Sequence, residues 1–183
     1  MRIAVDVDGV LAARIPALLE LAADRHGTEI GLEEVTDWNV TVPDTGRSLR
    51  EFFAETDEDP EHLLALSTVP GAVEGMKRLA ADHTVYIATY RKAAAREPTE
   101  RWLRAHDIPF DGYVREVGDG KREVPAELLV DDSSRTAATF ADHRGRALLF
   151  RRPWNAGSTP ENVTPVDGWK DVLDRVSAID DSG

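Results

Sequence analysis

The sequence predicts an α/β fold: a parallel sheet covered by helices on both faces, with a small helical insertion after the first strand. Three observations carry this. Short, mainly apolar runs, RIAVDV at 2–7 and TVYIAT at 84–89 among them, read as buried strands. Stretches with helical apolar spacing lie between such runs, which implies βαβ crossovers. Finally, 80 residues separate Asp8 from Thr89, where a direct crossover needs only one helix.

In chain order, Arg2–Val7 is a buried strand that stops at Asp8-Gly9. Apolar residues at 15, 18, 19 and 22 predict a helix over Ile15–His26, with Gly27 as its stop. Residues 28–69 are polar and broken by Pro43, Gly46 and Pro60, so only short helices are expected, near Leu49–Glu55 and Pro60–Leu66. Val73, Met76 and Leu79 place one stripe on a helix over Ala72–Ala81. Thr84–Thr89 is a strand, Pro98–His106 a helix, and Tyr113–Val117 a short strand. Leu128–Val130 runs as a strand into Asp131-Asp132. A helix over Ser134–Ala141, a strand at Ala147–Phe150 and an amphipathic helix at Trp169–Val176 complete the chain, and Asp180–Gly183 is expected to fray. The core is then 1–12 with 69–183, and the helical insertion 13–68.

Composition excludes several functions. The absence of cysteine removes disulfides, thiolate metal sites and a cysteine nucleophile. A net charge of −12, spread along the chain, argues against binding a nucleic-acid polymer. No run approaches a membrane span, and the opening strand is unlike a signal peptide, so a cytoplasmic location is expected. Asp outnumbers Glu 19 to 15 and Arg outnumbers Lys 18 to 4. That acidic excess predicts a salt-loving source, because high salt screens self-repulsion.

The chemistry gathers at strand ends. Asp6 and Asp8 end the first strand, Thr89 the second and Asp131-Asp132 a later one. In a parallel sheet these share one edge, where active sites of such folds lie. Lys121, ten residues before Asp131, can reach the same edge, with neighbouring Arg122 as the competing cation. Clustered carboxylates suit a hard Mg²⁺, and a cation beside them offsets repulsion with an anionic substrate. Each part also has a plain structural reading: Asp6 and Asp8 could cap a turn, and Asp131-Asp132-Ser133 the following helix.

Asp6-Val7-Asp8-Gly9-Val10-Leu11, Thr89, Lys121 and Asp131-Asp132 resemble, in order, the four motifs of haloacid dehalogenase-like (HAD) phosphohydrolases. The resemblance implies a HAD-like Rossmannoid three-layer α/β/α fold with a helical cap over 13–68. It implies that Asp6 attacks phosphorus to form an aspartyl-phosphate, while Asp8 protonates the leaving group and then activates water. Asp6, the carbonyl of Asp8 and Asp132 would hold Mg²⁺, with Asp131 helping directly or through water. Thr89 and the backbone N–H of Tyr90 would bind phosphate, with Lys121 neutralising its charge.

Within that superfamily, AVDVDGVLA at 4–12, DWNV at 37–40, LLVDDSS at 128–134 and LLFRRPWN at 148–155 are similar to the 5′(3′)-deoxyribonucleotidase, or cytosolic type C 5′-nucleotidase, family. The resemblance implies a small phosphorylated metabolite, a nucleoside monophosphate, as substrate. Trp38 is a candidate for stacking on a base, or else an ordinary cap-core tryptophan. Arg14 stands where an aromatic residue lines the nucleoside pocket of animal members. Tyr90-Arg91 replaces a small residue and a proline. Base and sugar therefore stay open, as do a sugar-phosphate substrate and a non-catalytic phosphate-binding scaffold. A homodimer through exposed cap residues is also open, although no heptad or apolar stripe argues for one.

Overall fold

The computed structural model describes residues 1–115, 120–157 and 159–181. Its centre is a six-stranded, all-parallel sheet built from β1 (Arg2–Val5), β4 (Thr84–Thr89), β5 (Gly112–Arg115), β6 (Leu128–Asp131), β7 (Ala147–Phe150) and β8 (Val163–Val166). The order across the sheet is β5-β4-β1-β6-β7-β8. Two short strands, β2 (Thr41–Val42) and β3 (Arg47–Ser48), form a separate antiparallel hairpin.

Period-two alternation sorts the strand residues between two cores. Ile3, Val5, Val85, Ile87, Leu128 and Val130 face one side. They pack there with α4 (Ala72–Asp82), α5 (Arg96–Ala105) and α7 (Trp169–Asp180). Ala4, Ala88, Leu129, Ala147 and Leu149 face the other, under α6 (Ser134–Arg144) and the Val124–Ala126 segment. The central strands β1, β4, β6 and β7 are largely apolar because both their faces are covered. The Trp169 ring seats on α4 at Gly75, where a Cβ would lie 2.2 Å from a ring carbon.

Between β1 and α4 the chain leaves the sheet to form α1 (Arg14–His26), α2 (Leu49–Thr56), α3 (Pro60–Ala65) and the hairpin. Ile15, Leu18, Val35, Val42, Leu49 and Phe52 make a separate apolar cluster there. The outgoing and returning chains run side by side: Ala13 N–H donates to Ser67 C=O and Val69 N–H to Leu11 C=O. An antiparallel bridge pairs Ala12 with Thr68 between them.

The structure adds elements that the pattern does not signal. Strand β8 contains Pro165, which is tolerated because β8 is the edge of the sheet. The β2–β3 hairpin is two residues per strand, too short for alternation to register, and its turn places Asp44 and Gly46 at positive φ. Helix α5 starts at Arg96 rather than Pro98, since a proline in the first turn forfeits only an N–H that has no partner there. Strand β5 covers 112–115; the expected extension to Val117 lies outside the described residues, as do Gly118, Asp119, Ser182 and Gly183. Among the described residues, no helix is long and apolar enough to cross a membrane.

Candidate active site

The first loop is set by β1 and its neighbour β6. Asp6 N–H donates to Val130 C=O at 2.9 Å, continuing the ladder one residue past β1 and fixing the Asp6 backbone beside the end of β6. Gly9 then turns with φ +82°, and a Cβ there would lie 1.9 Å from Oδ2 of Asp132. Only glycine lets the two acidic loops come this close.

Asp6, Asp131 and Asp132 each present an oxygen within 4.8 Å of the others, and all three are buried. Lys121, itself 1% exposed, sits in the cluster. Its Nζ donates to Asp6 Oδ1 and to Asp131 Oδ2, each at 2.6 Å. The backbone of Lys121 is left-handed, with φ 53°, and its N–H donates to the Tyr90 hydroxyl. Arg122, by contrast, is exposed, and its carbonyl accepts from Arg144.

One ammonium does not balance three buried carboxylates. Burial, helped by repulsion from Asp131 and Asp8, pushes Asp6 up to about 7 against the opposing pull of Lys121. Burial, then the charges of Asp6 and Asp131, also raise Asp132 well above the carboxylate range. This crowding fits a bound divalent cation, which would relieve the repulsion that now favours protonation. The donors are all oxygens, as Mg²⁺ requires. Both oxygens of Asp131 are already engaged, Oδ2 by Lys121 and Oδ1 by Ser133 N–H. Ser133 in turn caps α6, accepting from Thr136 N–H.

Asp8 has a different environment. Arg91, from the loop after β4, forks onto it with Nη2–Oδ1 at 2.5 Å and Nε–Oδ2 at 2.9 Å. Arg14, at the start of α1, adds Nη1–Oδ2 at 3.1 Å. Burial alone would raise Asp8, but Arg91 and then Arg14 overcome it and hold the carboxyl well below its usual range. Arg14 also pairs with Asp57 at 2.7 Å, donates to Phe53 C=O and Thr56 Oγ1, and lies over the Phe53 ring. Arg91 further donates to Thr99 Oγ1. Both guanidiniums are shut behind Asp8, with side chains 1% exposed.

Apart from Arg122, the site residues singled out in the sequence line one cavity of about 470 Å³: Asp6, Asp8, Arg14, Trp38, Thr89, Tyr90, Lys121, Asp131 and Asp132. Thr89 is buried at the end of β4, and Tyr90 is 44% exposed. Trp38 is half-buried, meeting Phe53 edge-on at 5.2 Å and leaning on Trp154 at 5.3 Å. Sequence reasoning missed the pairing of Arg91 with Asp8 and that of Asp57 with Arg14. A charged residue beside strand-terminal Thr89 was the available signal for Arg91; its partner, 83 positions away, was not legible.

A family model described as "5' nucleotidase, deoxy (Pyrimidine), cytosolic type C protein" matches residues 1–179. A protein of Staphylococcus epidermidis, provisionally named a 5′(3′)-deoxyribonucleotidase, is 26% identical over 98% of this chain and 97% of its own. Among solved structures, a HAD family hydrolase from Deinococcus radiodurans with bound phosphate and sodium superposes with TM-score 0.62 at 14% identity. That match covers 97% of this chain and 95% of the other. The HAD hydrolase YfnB of Bacillus subtilis, bound to magnesium, gives 0.63 at 10% identity, covering 96% and 98%. The structural likenesses show a HAD-like fold.

Proposed function

The chain belongs to the cytosolic type C 5′-nucleotidase family within the HAD hydrolases, and we propose on that premise that it hydrolyses nucleoside monophosphates with Mg²⁺ through an aspartyl-phosphate. The observation that carries this is the Asp6-Asp131-Asp132 cluster with Lys121 buried inside it, at the carboxyl ends of parallel strands. In this reading 13–68 is the cap, joined to the core 1–12 and 69–183 at the Ala12–Thr68 bridge.

Asp6 attacks phosphorus, and the leaving alkoxide takes a proton from Asp8. Water then attacks the aspartyl-phosphate while Asp8 accepts its proton, releasing phosphate and restoring Asp6. As a donor, Asp8 must be protonated, so its pairs with Arg91 and Arg14 have to give way as substrate enters. Thr89 and Tyr90 N–H bind the phosphoryl oxygens, and Lys121 stabilises their charge. Asp6, Asp132 and the Asp8 carbonyl would hold Mg²⁺, which when bound offsets the charge between carboxylates and phosphoryl group. The engagement of both Asp131 oxygens supports Asp132 as the direct ligand.

Trp38 forms the apolar wall that a base would stack on. Trp38→Ala is expected to raise KM for nucleoside monophosphates about fivefold and for p-nitrophenyl phosphate less than twofold, an aromatic contact being worth about 1 kcal/mol. Equal changes for both would remove base stacking. The decisive assay is phosphate release from ribo- and deoxyribonucleoside monophosphates, sugar phosphates and p-nitrophenyl phosphate, with Mg²⁺ or EDTA. Turnover of sugar phosphates alone would reject the nucleotidase and keep the chemistry. Binding of Mg²⁺ and phosphate without turnover would leave a scaffold.

The acidic excess supports a protein adapted to salt. Its melting temperature should climb steadily between about 0.1 and 2 M KCl, as screening removes self-repulsion. A maximum at low salt would discard that adaptation.

A further inference from the structure

The Arg152-Pro153-Trp154-Asn155 turn after β7 touches both acidic loops. Arg152 donates from Nε and Nη2 to Gly9 C=O, at 3.0 and 2.7 Å. Asn155 Nδ2 donates to the carbonyls of Asp132 and Phe150, both at 2.8 Å. Between them, Trp154 Nε1–H donates to Oδ2 of Asp132 at 3.0 Å. The backbone on either side of the carboxylate is thus clamped, and the carboxylate itself has a donor fixing its rotation. The indole that supplies that donor is held in turn: its ring packs on Trp38, with centroids 5.3 Å apart. The Gly9 turn closes the other flank, its Cα lying where a Cβ would meet both Asp132 Oδ2 and the Trp154 ring.

We infer that Trp154 is a positioning residue, holding the Asp132 carboxylate in the orientation that receives the cation. This rests on reading Asp132 as a metal ligand. Partners of this kind, hydrogen-bonded behind a ligand, typically change metal affinity 10–100-fold when removed. Phenylalanine keeps an aromatic ring beside Trp38 while it deletes the N–H and trims the bicycle to one ring, so the melting temperature in EDTA reads the lost packing and Mg²⁺ affinity reads the lost orienting bond.

The test needs no turnover. The whole chain, labelled with ¹⁵N at its four indoles, is titrated with MgCl₂ alone. The Trp154 indole resonance, identified by its through-space contact with Trp38, should shift on binding. That of Trp102, whose Nε1–H donates to Leu66 C=O, should stay still. Calorimetry on W154F should show Mg²⁺ affinity weakened about tenfold, with the melting temperature in EDTA close to the parent's. A silent Trp154 indole during Mg²⁺ binding, or W154F binding Mg²⁺ as tightly as the parent, overturns the inference alone. No Mg²⁺ binding by the parent overturns the metal reading, and the inference falls with it.

Discussion

Asp6→Asn is expected to lower phosphate release by roughly 10⁴-fold or more, the scale on which removal of a covalent nucleophile acts, without destabilising the metal-free protein. The amide keeps an oxygen for the Lys121 ammonium, now 2.6 Å from Asp6, but cannot attack phosphorus. It also removes one charge from a buried cluster that repels itself. Because burial raises Asp6 to about 7 in the fold, its ionised form costs stability that the parent loses as pH climbs from about 4 toward 7. At pH 8 in EDTA the variant should therefore melt higher, by something on the order of 1 kcal/mol or about 3 °C. The advantage should shrink toward pH 4, where Asp6 is protonated in the fold and the unfolded chain is taking up the same proton. Turnover within tenfold of the parent would remove Asp6 as the nucleophile. A lower melting temperature at pH 8 would mean that the Lys121–Asp6 pair outweighs the repulsion.

Strands buried on both faces are legible because their runs are mainly apolar, with polar residues only toward the ends, and β1, β4, β6 and β7 all meet that condition. Strand β8 does not. Its VTPV sequence is half-buried, and its proline is permitted only by an edge position that topology, not local sequence, decides. The β2–β3 hairpin fails for a different reason. Two residues per strand carry no period, and its stability comes from Val42 packing with Leu49 and Phe52. Helix starts were misplaced where a proline falls inside the first turn, as at Pro98 in α5.

The acidic cluster was legible because parallel strands deliver their last residues to one edge, and this holds whatever else the chain does. What surrounds the cluster was not, because it depends on side chains meeting across long separations. Arg14 is the clearest case. Its place in the sequence suggests a pocket wall, and it does line the cavity, but its guanidinium is already engaged by Asp8, Asp57, Thr56 and the Phe53 carbonyl. Arg91 is engaged in the same way. Two charges near a binding pocket look like ligand contacts until their counter-charges are located.

In the proposed mechanism Asp8 transfers the proton, and this arrangement ties the fold to the same residue. Asp8→Asn leaves two guanidiniums, each with a side chain 1% exposed, facing a neutral amide. Removing one partner of a buried charge pair costs about 3–5 kcal/mol. Asp8 is 18% exposed, and Arg14 retains Asp57, so the low end applies: about 3 kcal/mol, or near 10 °C in melting temperature. Pairing Asp8→Asn with Arg91→Gln replaces an orphaned charge by two amides able to bond each other, and should recover about 1 kcal/mol or more of the loss. Activity should separate by leaving group. A nucleoside leaves as an alkoxide that needs the proton of Asp8, whereas p-nitrophenolate does not. The folded Asp8→Asn variant should then release about one equivalent of p-nitrophenol in a burst and stall as the aspartyl-phosphate, with no comparable burst from a nucleotide. A variant that melts within a degree or two of the parent would show that the arginines do not depend on Asp8. Equal loss on both substrates, without a burst, would take proton transfer away from Asp8 and leave it as the counter-ion that holds Arg91 and Arg14 in the core.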